Sequence, residues 1–476
     1  MKAIPVGIWV VLAVCTHACA NNNQQAPAAG AMHDTVTTTA TASPAPGDTL
    51  PAGKIIDTVA CMANAGQTYA LYIPAKASRP MPVVYCFDPH ASGALPVRRY
   101  KALADAFGYI LVGSNNSKNG NDWNTTEAIW IALWNDTKKR LPLNEDRLYT
   151  CGFSGGAKVA GYIAMNHTGI KGVIANGAGL PDGAPATDYP FTFTAVAGEG
   201  DMNMTDLVAI NSEFDKTHTR HRIIFFNGKH EWAPEKTMRI AFTGWQLDAM
   251  AQKQVRVNDT LISRYVADSK KTIDGYIRAN QLVSALNVCS LSAGMLDGVS
   301  GEAGWFHQQA VSITSNPAYQ QQVQAQQHLL DIELRMKQEY LQRFQQGDIN
   351  YWTKMIADLQ AKAKAVTPEG AMHQRLLAYL SLAFYSFSNQ LISSNRNEDA
   401  AYVVTLYKLA DPSNSEAWYF SAILHARSNQ PADAESDLLK AVACGFTDKQ
   451  RLHQQPEFQQ LGGNLHYDKI EQGMKQ

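Results

Sequence analysis

The chain has little net charge, few cysteines and, beyond its first twenty residues, no long apolar run. Its 476 residues carry 41 Lys and Arg against 42 Asp and Glu, for a formal net charge of −1, with no basic cluster. Nucleic-acid binding needs a concentrated positive face, so nucleic acid is not an expected partner. Cysteines number only seven. Cys15 and Cys19 belong to the N-terminal segment, and Cys61, Cys86, Cys151, Cys289 and Cys444 form an odd set without paired spacing. That pattern argues against a disulfide scaffold, and no Cys/His grouping has zinc-ligand spacing, so neither metal nor cofactor is expected. No later stretch is long and apolar enough to cross a bilayer, so the bulk of the chain reads as globular.

What is present begins with an export signal. Lys2 opens a short charged region, Ile4 to Val14 is an apolar stretch of signal-peptide length, and small residues follow. Two cleavage readings of residues 1–20 stay open. Ala18-Cys19-Ala20 fits a signal-peptidase site, whereas Thr16-His17-Ala18-Cys19 is a loose lipobox in which Cys19 would carry the lipid and attach the protein to a membrane. Residues 21–53, rich in Ala, Thr, Pro and Asn, suit a flexible tether. The expected location is therefore periplasmic or on the cell surface.

The densest chemical signal is Gly152-Phe153-Ser154-Gly155-Gly156. An apolar run, Arg147 to Cys151, precedes it as a short strand, and the small-residue run Ala157 to Met165 follows as a helix. A strand, a G-x-S-x-G turn and a helix make a nucleophile elbow, with the serine hydroxyl pushed out above a sheet. A nucleophilic serine needs an acid and a base, which in this arrangement come later in the chain, acid first. Phe191 to Ala197 reads as a strand and runs into Gly198-Glu199-Gly200-Asp201, making Asp201 the candidate acid, with Glu199 and Asp206 as alternatives. Arg222 to Phe226 reads as the next strand and leads to His230, the candidate base, ahead of His90, His167, His218 and His221. Upstream, Tyr69 to Pro74, Pro82 to Phe87 and Tyr109 to Gly113 read as further strands, with a helix over Arg98 to Phe107. Strands alternating with helices imply an α/β fold with a mostly parallel sheet covered on both faces.

From Thr58 to Gly244, less than half of its length, the chain resembles an α/β-hydrolase. It is similar to the secreted esterase branch that includes feruloyl esterases, polyhydroxyalkanoate depolymerases and dienelactone-hydrolase-like enzymes. Three phrases carry the resemblance: Asp146 to Ser154, the run Phe87-Asp88-Pro89-His90-Ala91-Ser92-Gly93 after the third strand, and His230-Glu231-Trp232-Ala233-Pro234. The resemblance implies an oxyanion hole made by the Gly155 N–H and a second donor from the loop after the third strand. Pro89 has no N–H, which leaves His90 or Ala91. Trp123 and Trp232 are candidates for the substrate pocket, with packing as the competing role, and Trp130 shares that ambiguity.

After about Gly244 the composition turns to Gln, Ala, Leu and Lys. Gln246 to Val288, Ala318 to Gln346 and Asn350 to Ala365 carry apolar residues at helical spacing, so an all-α region follows a hydrolase domain placed at residues 54–250. Helices fill 251–370, and residues 371–476 resemble tetratricopeptide repeats. Trp418, Ser421, Ala422, His425, Ala434, Leu438 and Ala441 stand on the repeat frame, and Phe384, Phe387, Ser388, Leu391, Ala400, Val404 and Tyr407 stand on the frame before it.

The expectation is an exported serine hydrolase acting on a small-molecule or polysaccharide-linked carboxylic ester. Two other readings are a serine peptidase on the same fold and an inactive scaffold whose repeat-like region binds a protein partner. A chain ending near Phe242-Thr243-Gly244 would contain every strand and all three catalytic candidates. The lipobox reading has its own check: labelled palmitate should enter the wild-type protein and not Cys19→Ser, because only the thiol takes the lipid. An unlabelled wild type with a mature chain beginning at Asn21 would establish cleavage after Ala20 instead.

Overall fold

The computed structural model describes residues 50–344 and 348–474, so the export signal, Cys19 and most of the tether lie outside the described residues. The chain divides into two compact units, one running to Gln326 and the other from Gln327 onward.

Eight strands build the first unit's sheet: β1 Ile55–Cys61, β2 Asn64–Tyr72, β3 Met81–Phe87, β4 Ile110–Ser114, β5 Leu143–Phe153, β6 Ile170–Asn176, β7 Thr192–Gly198 and β8 His221–Phe226. Their spatial order is β1-β2-β4-β3-β5-β6-β7-β8. The β1–β2 and β2–β4 pairs are antiparallel and every other pair is parallel. This is the α/β-hydrolase sheet, with helices on both faces.

Period-2 alternation decides which side chain meets which helix layer. In β3, Val83, Tyr85 and Phe87 point to one face. There they pack with Ile129, Trp130 and Leu133 of α3 (Trp123–Arg140), Ala157, Ala160 and Ile163 of α4 (Gly155–Asn166), and Leu207 and Phe214 of α5 (Met204–Phe214). Val84 and Cys86 point to the other face, against Val97 of α1 (Ala94–Arg99), Leu103 of α2 (Lys101–Phe107), and Phe242 and Trp245 of α6 (Glu235–Ala251). The expected single helix over Arg98 to Phe107 is thus two short ones. They break at Tyr100, whose buried hydroxyl donates to the Ala233 carbonyl at 2.8 Å. Strands β1 and β6 and helix α3 were not read from the sequence. Asp57 and Thr58 interrupt the apolar run of β1, Lys171 and Gly172 that of β6, and α3 is rich in Thr and Trp, which are indifferent helix formers.

Helices α7 Asp259–Arg278, α8 Leu282–Leu296 and α9 Ala303–Thr314 belong to the first unit, so its compact body extends well past residue 250. They form a further core with the end of α6, in which Leu247, Ile262, Ile273, Cys289 and Phe306 are buried. Polar contacts tie this layer to the sheet. Arg222 Nη2 of β8 donates to both carboxylate oxygens of buried Asp248 of α6 at 2.7 and 2.6 Å, and Arg220 Nη2 donates to the Gly294 carbonyl at 2.7 Å. Helix α10, Pro317–Phe344, crosses the division between the units, and its Gln-rich stretch 320–327 is mostly exposed.

The second unit is all helical: α11 Ile349–Lys362, α12 Pro368–Ser393, α13 Asn397–Ala410, α14 Ser415–Arg427, α15 Pro431–Ala443, α16 Lys449–Gln454, α17 Pro456–Leu461 and α18 Tyr467–Gly473. Phe384, Phe387 and Leu391 of α12 share one core with Val404 and Tyr407 of α13, Ala422 of α14 and Leu438 and Ala441 of α15. Trp418 and His425, on the same spacing, stay partly exposed.

A chain cut at Gly244 would sever α6 and remove Trp245, which is fully buried 4.5 Å from the Tyr149 ring and fills the space that Gly172 leaves open. Loss of a buried Trp costs about 3–5 kcal/mol, a large share of a domain's stability of about 5–15 kcal/mol, and the cut also removes the apolar core that α7 to α9 build on the end of α6. A chain ending at Gly244 should therefore show no cooperative urea transition by circular dichroism, and one ending at Gln326 should keep it.

Candidate active site

Ser154 stands between β5 and α4 with φ 53° and ψ −123°, a conformation that costs a non-glycine residue about 1–3 kcal/mol. The bend is tight enough to dictate its neighbours. A Cβ on Gly152 would collide with the Gly156 carbonyl, and one on Gly156 would collide with the Phe87 carbonyl at the end of β3. The Ser154 N–H donates to the Asn176 carbonyl at 2.8 Å, pinning the turn to the adjacent strand.

Asp201 follows β7 and His230 follows β8, so parallel pairing of β5 through β8 brings all three residues to the C-terminal edge of the sheet. His230 Nε2 lies 2.9 Å from Ser154 Oγ, and His230 Nδ1 lies 2.9 and 3.0 Å from the two Asp201 carboxylate oxygens. An ionised carboxylate can only accept, so Nδ1 carries the proton and Nε2 is left to accept from the serine hydroxyl. Asp201 is almost fully buried, and its Oδ1 also accepts the Asn203 N–H at 2.9 Å. The other acids and histidines lie elsewhere. Glu199 is exposed, Asp206 is in the first turn of α5, and His167, His218 and His221 pair with Glu127, Asp188 and Asp215.

Residues that the sequence reading passed over hold this arrangement. Asn176, fully buried at the end of β6, donates to the Glu231 carbonyl at 2.8 Å and accepts the Ala233 N–H at 3.0 Å, clasping the histidine loop from both sides. Gly177, at φ 68°, leaves room for Phe153, Asp201 and His230, each of which a Cβ there would approach to 3.0–3.2 Å. The Phe153 ring packs against the His230 ring at 4.7 Å between centroids. Burial keeps the Tyr100 phenol well above its ordinary pKa, so it remains a donor to Ala233. Asn176, Gly177 and Tyr100 sit in no spacing motif, and Phe153 fills the variable position of the elbow, so only an asparagine and a glycine ending a strand hinted at them.

The loop after β3 differs from the expected oxyanion geometry. The His90 N–H donates to Asp88 Oδ1 at 2.9 Å and the Ala91 N–H to the Asp88 carbonyl at 3.3 Å, so both amides are already engaged within the turn. The Gly155 N–H stands in the first turn of α4, where no intrahelical acceptor exists. Trp232 is a correction to the pocket assignment. It is 4 % exposed, packs against Tyr100 and Phe153, and donates from Nε1 to Asp88 Oδ2 at 2.8 Å, which makes it part of the core. Trp130 is likewise buried against Tyr85. Trp123 is 42 % exposed and stacks on Tyr162 with ring centroids 4.5 Å apart. Among the described residues no group of three or more His, Cys, Asp or Glu is placed to hold a metal ion, and no helix is long and apolar enough to cross a membrane.

No protein-family model matches the chain, and no curated protein matches it in sequence. Among solved structures it is similar to a hyperthermophilic esterase from the archaeon Pyrobaculum calidifontis, at 12% identity over 42% of this chain and 85% of that one, with a TM-score of 0.34. It is also similar to fluorophosphonate-binding serine hydrolase F of Staphylococcus aureus, at 10% identity over 41% and 99% of the two chains, with a TM-score of 0.33. A third is Est1E from Butyrivibrio proteoclasticus, at 13% identity over 41% and 98%, with a TM-score of 0.33. Likenesses this distant say nothing about substrate.

The Asn176 clasp is testable in isolation. Asn176→Ala frees the Glu231 carbonyl and strands the buried Ala233 N–H, the latter at about 1–3 kcal/mol. Urea unfolding should show that loss, and ester turnover should fall further than the loss of folded protein explains, because the histidine loop is no longer held.

Proposed function

We propose that this chain is an exported serine hydrolase that cleaves carboxylic esters through an acyl-enzyme. The observation that carries the reading is the unbroken line of hydrogen bonds from buried Asp201 through His230 to Ser154, raised on a strained elbow at the sheet edge. On this reading Ser154 Oγ attacks the acyl carbon while its proton passes to His230 Nε2 and the carbonyl π pair moves onto oxygen. Collapse of the tetrahedral intermediate expels the alkoxide, which takes the proton from His230. Water then repeats the cycle on the acyl-serine, with the proton again passing through His230, and releases the acid. Asp201 holds the imidazole in the required tautomer and stabilises its charged form.

Export belongs to the same proposal and rests on the segment before residue 50. The helical second unit is assigned a protein-binding role as a tetratricopeptide-like region. Supporting this is Trp418, partly exposed with Lys408 and Lys440 ammonium groups 5.1 and 5.7 Å from its ring, in an open surface depression that Asp437 and Leu439 also line.

Ser154→Ala should abolish labelling by a fluorophosphonate probe and lower kcat/KM on a short activated ester by several orders of magnitude, with the fold intact. Asp201→Asn and His230→Ala should also cripple turnover, whereas Glu199→Gln and His218→Ala should stay near wild type. Equal labelling of Ser154→Ala would overturn the reading.

A further inference from the structure

We propose that the side-chain carboxamide of Asn119 is the second oxyanion donor of this site, in place of a backbone amide from the loop after β3. The proposal rests on the serine-hydrolase reading and deepens it. As Ser154 Oγ bonds to the acyl carbon, the carbonyl oxygen gains a full negative charge and needs two preorganised donors. The Gly155 N–H is one of them. The loop amides are poor candidates for the second. Releasing the His90 N–H would leave Asp88 Oδ1 unpaired in a carboxylate that is 3 % exposed and whose Oδ2 is held by the Trp232 indole. Losing a bond to a buried carboxylate costs more than a neutral exchange, so the amide stays bound to it.

Asn119 is placed to fill the gap. Its own N–H donates to the Pro89 carbonyl at 2.8 Å, and His90 and Lys118 bridge the two loops in antiparallel fashion, so the turn after β4 is fastened across the loop after β3. This fastening lays the carboxamide against Gly155. A Cβ built on Gly155 would strike Asn119 Oδ1, with Cγ 3.0 Å and Nδ2 3.6 Å from the same point. Gly155 therefore lacks a side chain where the Asn119 amide sits, immediately beside the nucleophile. Among the described residues the carboxamide has no hydrogen-bond partner, and its terminal torsion is soft. A half-turn presents Nδ2 to the developing oxyanion without breaking a bond, and Gly120, at φ 86°, lets the chain turn away behind it.

The test measures kcat and KM on a short activated ester, fluorophosphonate labelling at Ser154 and thermal unfolding, for wild type, Asn119→Ala and Asn119→Asp. Removing one oxyanion donor lowers kcat about 10²–10³-fold. Asn119→Ala should show that loss with KM and Tm little changed, since the side chain is exposed and supports nothing else. Asn119→Asp, similar in shape but without a donor and negatively charged, should lose at least as much. A wild-type kcat in either folded variant overturns the proposal, and should Asn119→Ala fail to unfold cooperatively, Asn119→Asp decides. Wild-type protein that neither labels nor turns over ester would overturn the hydrolase reading itself. Active wild type with unaffected variants would overturn the Asn119 assignment alone.

Discussion

Everything at this sheet edge depends on three backbones meeting without side chains between them. The carbonyl of Phe87 closing β3, the turn at Gly152 and the first turn of α4 at Gly156 approach so closely that a single methyl group on either glycine would separate them. That contact forces Ser154 into its strained conformation, and the strain is sustained because strands on both sides over-determine the position. The β3 and β6 strands flank β5 in parallel register, with Phe87 opposite Gly152 and Phe153 opposite Asn176. The serine is thus a property of the packed sheet as much as of its five-residue motif.

A second constraint joins the loops above that edge. The Asp88 carboxylate takes the His90 amide on one oxygen and the Trp232 indole on the other, so the loop after β3 and the loop carrying the histidine share one buried anion. Asn176 grips the histidine loop from the opposite side. The loop that carries His230 is thus held from both sides by residues that do not themselves bond to its imidazole.

The sequence was most legible where chemistry and period coincide. Six strands were readable because Val, Ile, Phe and Tyr run in short blocks bounded by Gly, Pro and Asn, and the elbow was readable because only glycine fits there. Strand β1 was hidden by its polar residues and β6 by Gly172, which exists to admit the indole of Trp245 from a helix more than seventy residues away. The extent of the first unit was hidden for a related reason. The change in composition near residue 244 marks the end of the strands, whereas α7 to α9 pack with the end of α6 and with Arg220 and Arg222 of β8, partnerships that no local pattern announces. Trp232 read both as a pocket wall and as packing for the histidine loop, because an aromatic beside a candidate base suits either role. Its partner, Asp88, lies 144 positions away and is visible only once the chain is folded.

The order of the strands also sets an order in time. Ser154 follows β5, Asp201 follows β7 and His230 follows β8, the strand at the far edge of the sheet from β1. A chain that has assembled everything through β7 holds Ser154 without His230 beside it, and on the proposed reading that serine is as quiet as any other. The hydrogen-bonded row from Asp201 through His230 to Ser154 closes only when the last strand joins. On the proposed reading, onset of activity and completion of the fold become the same event.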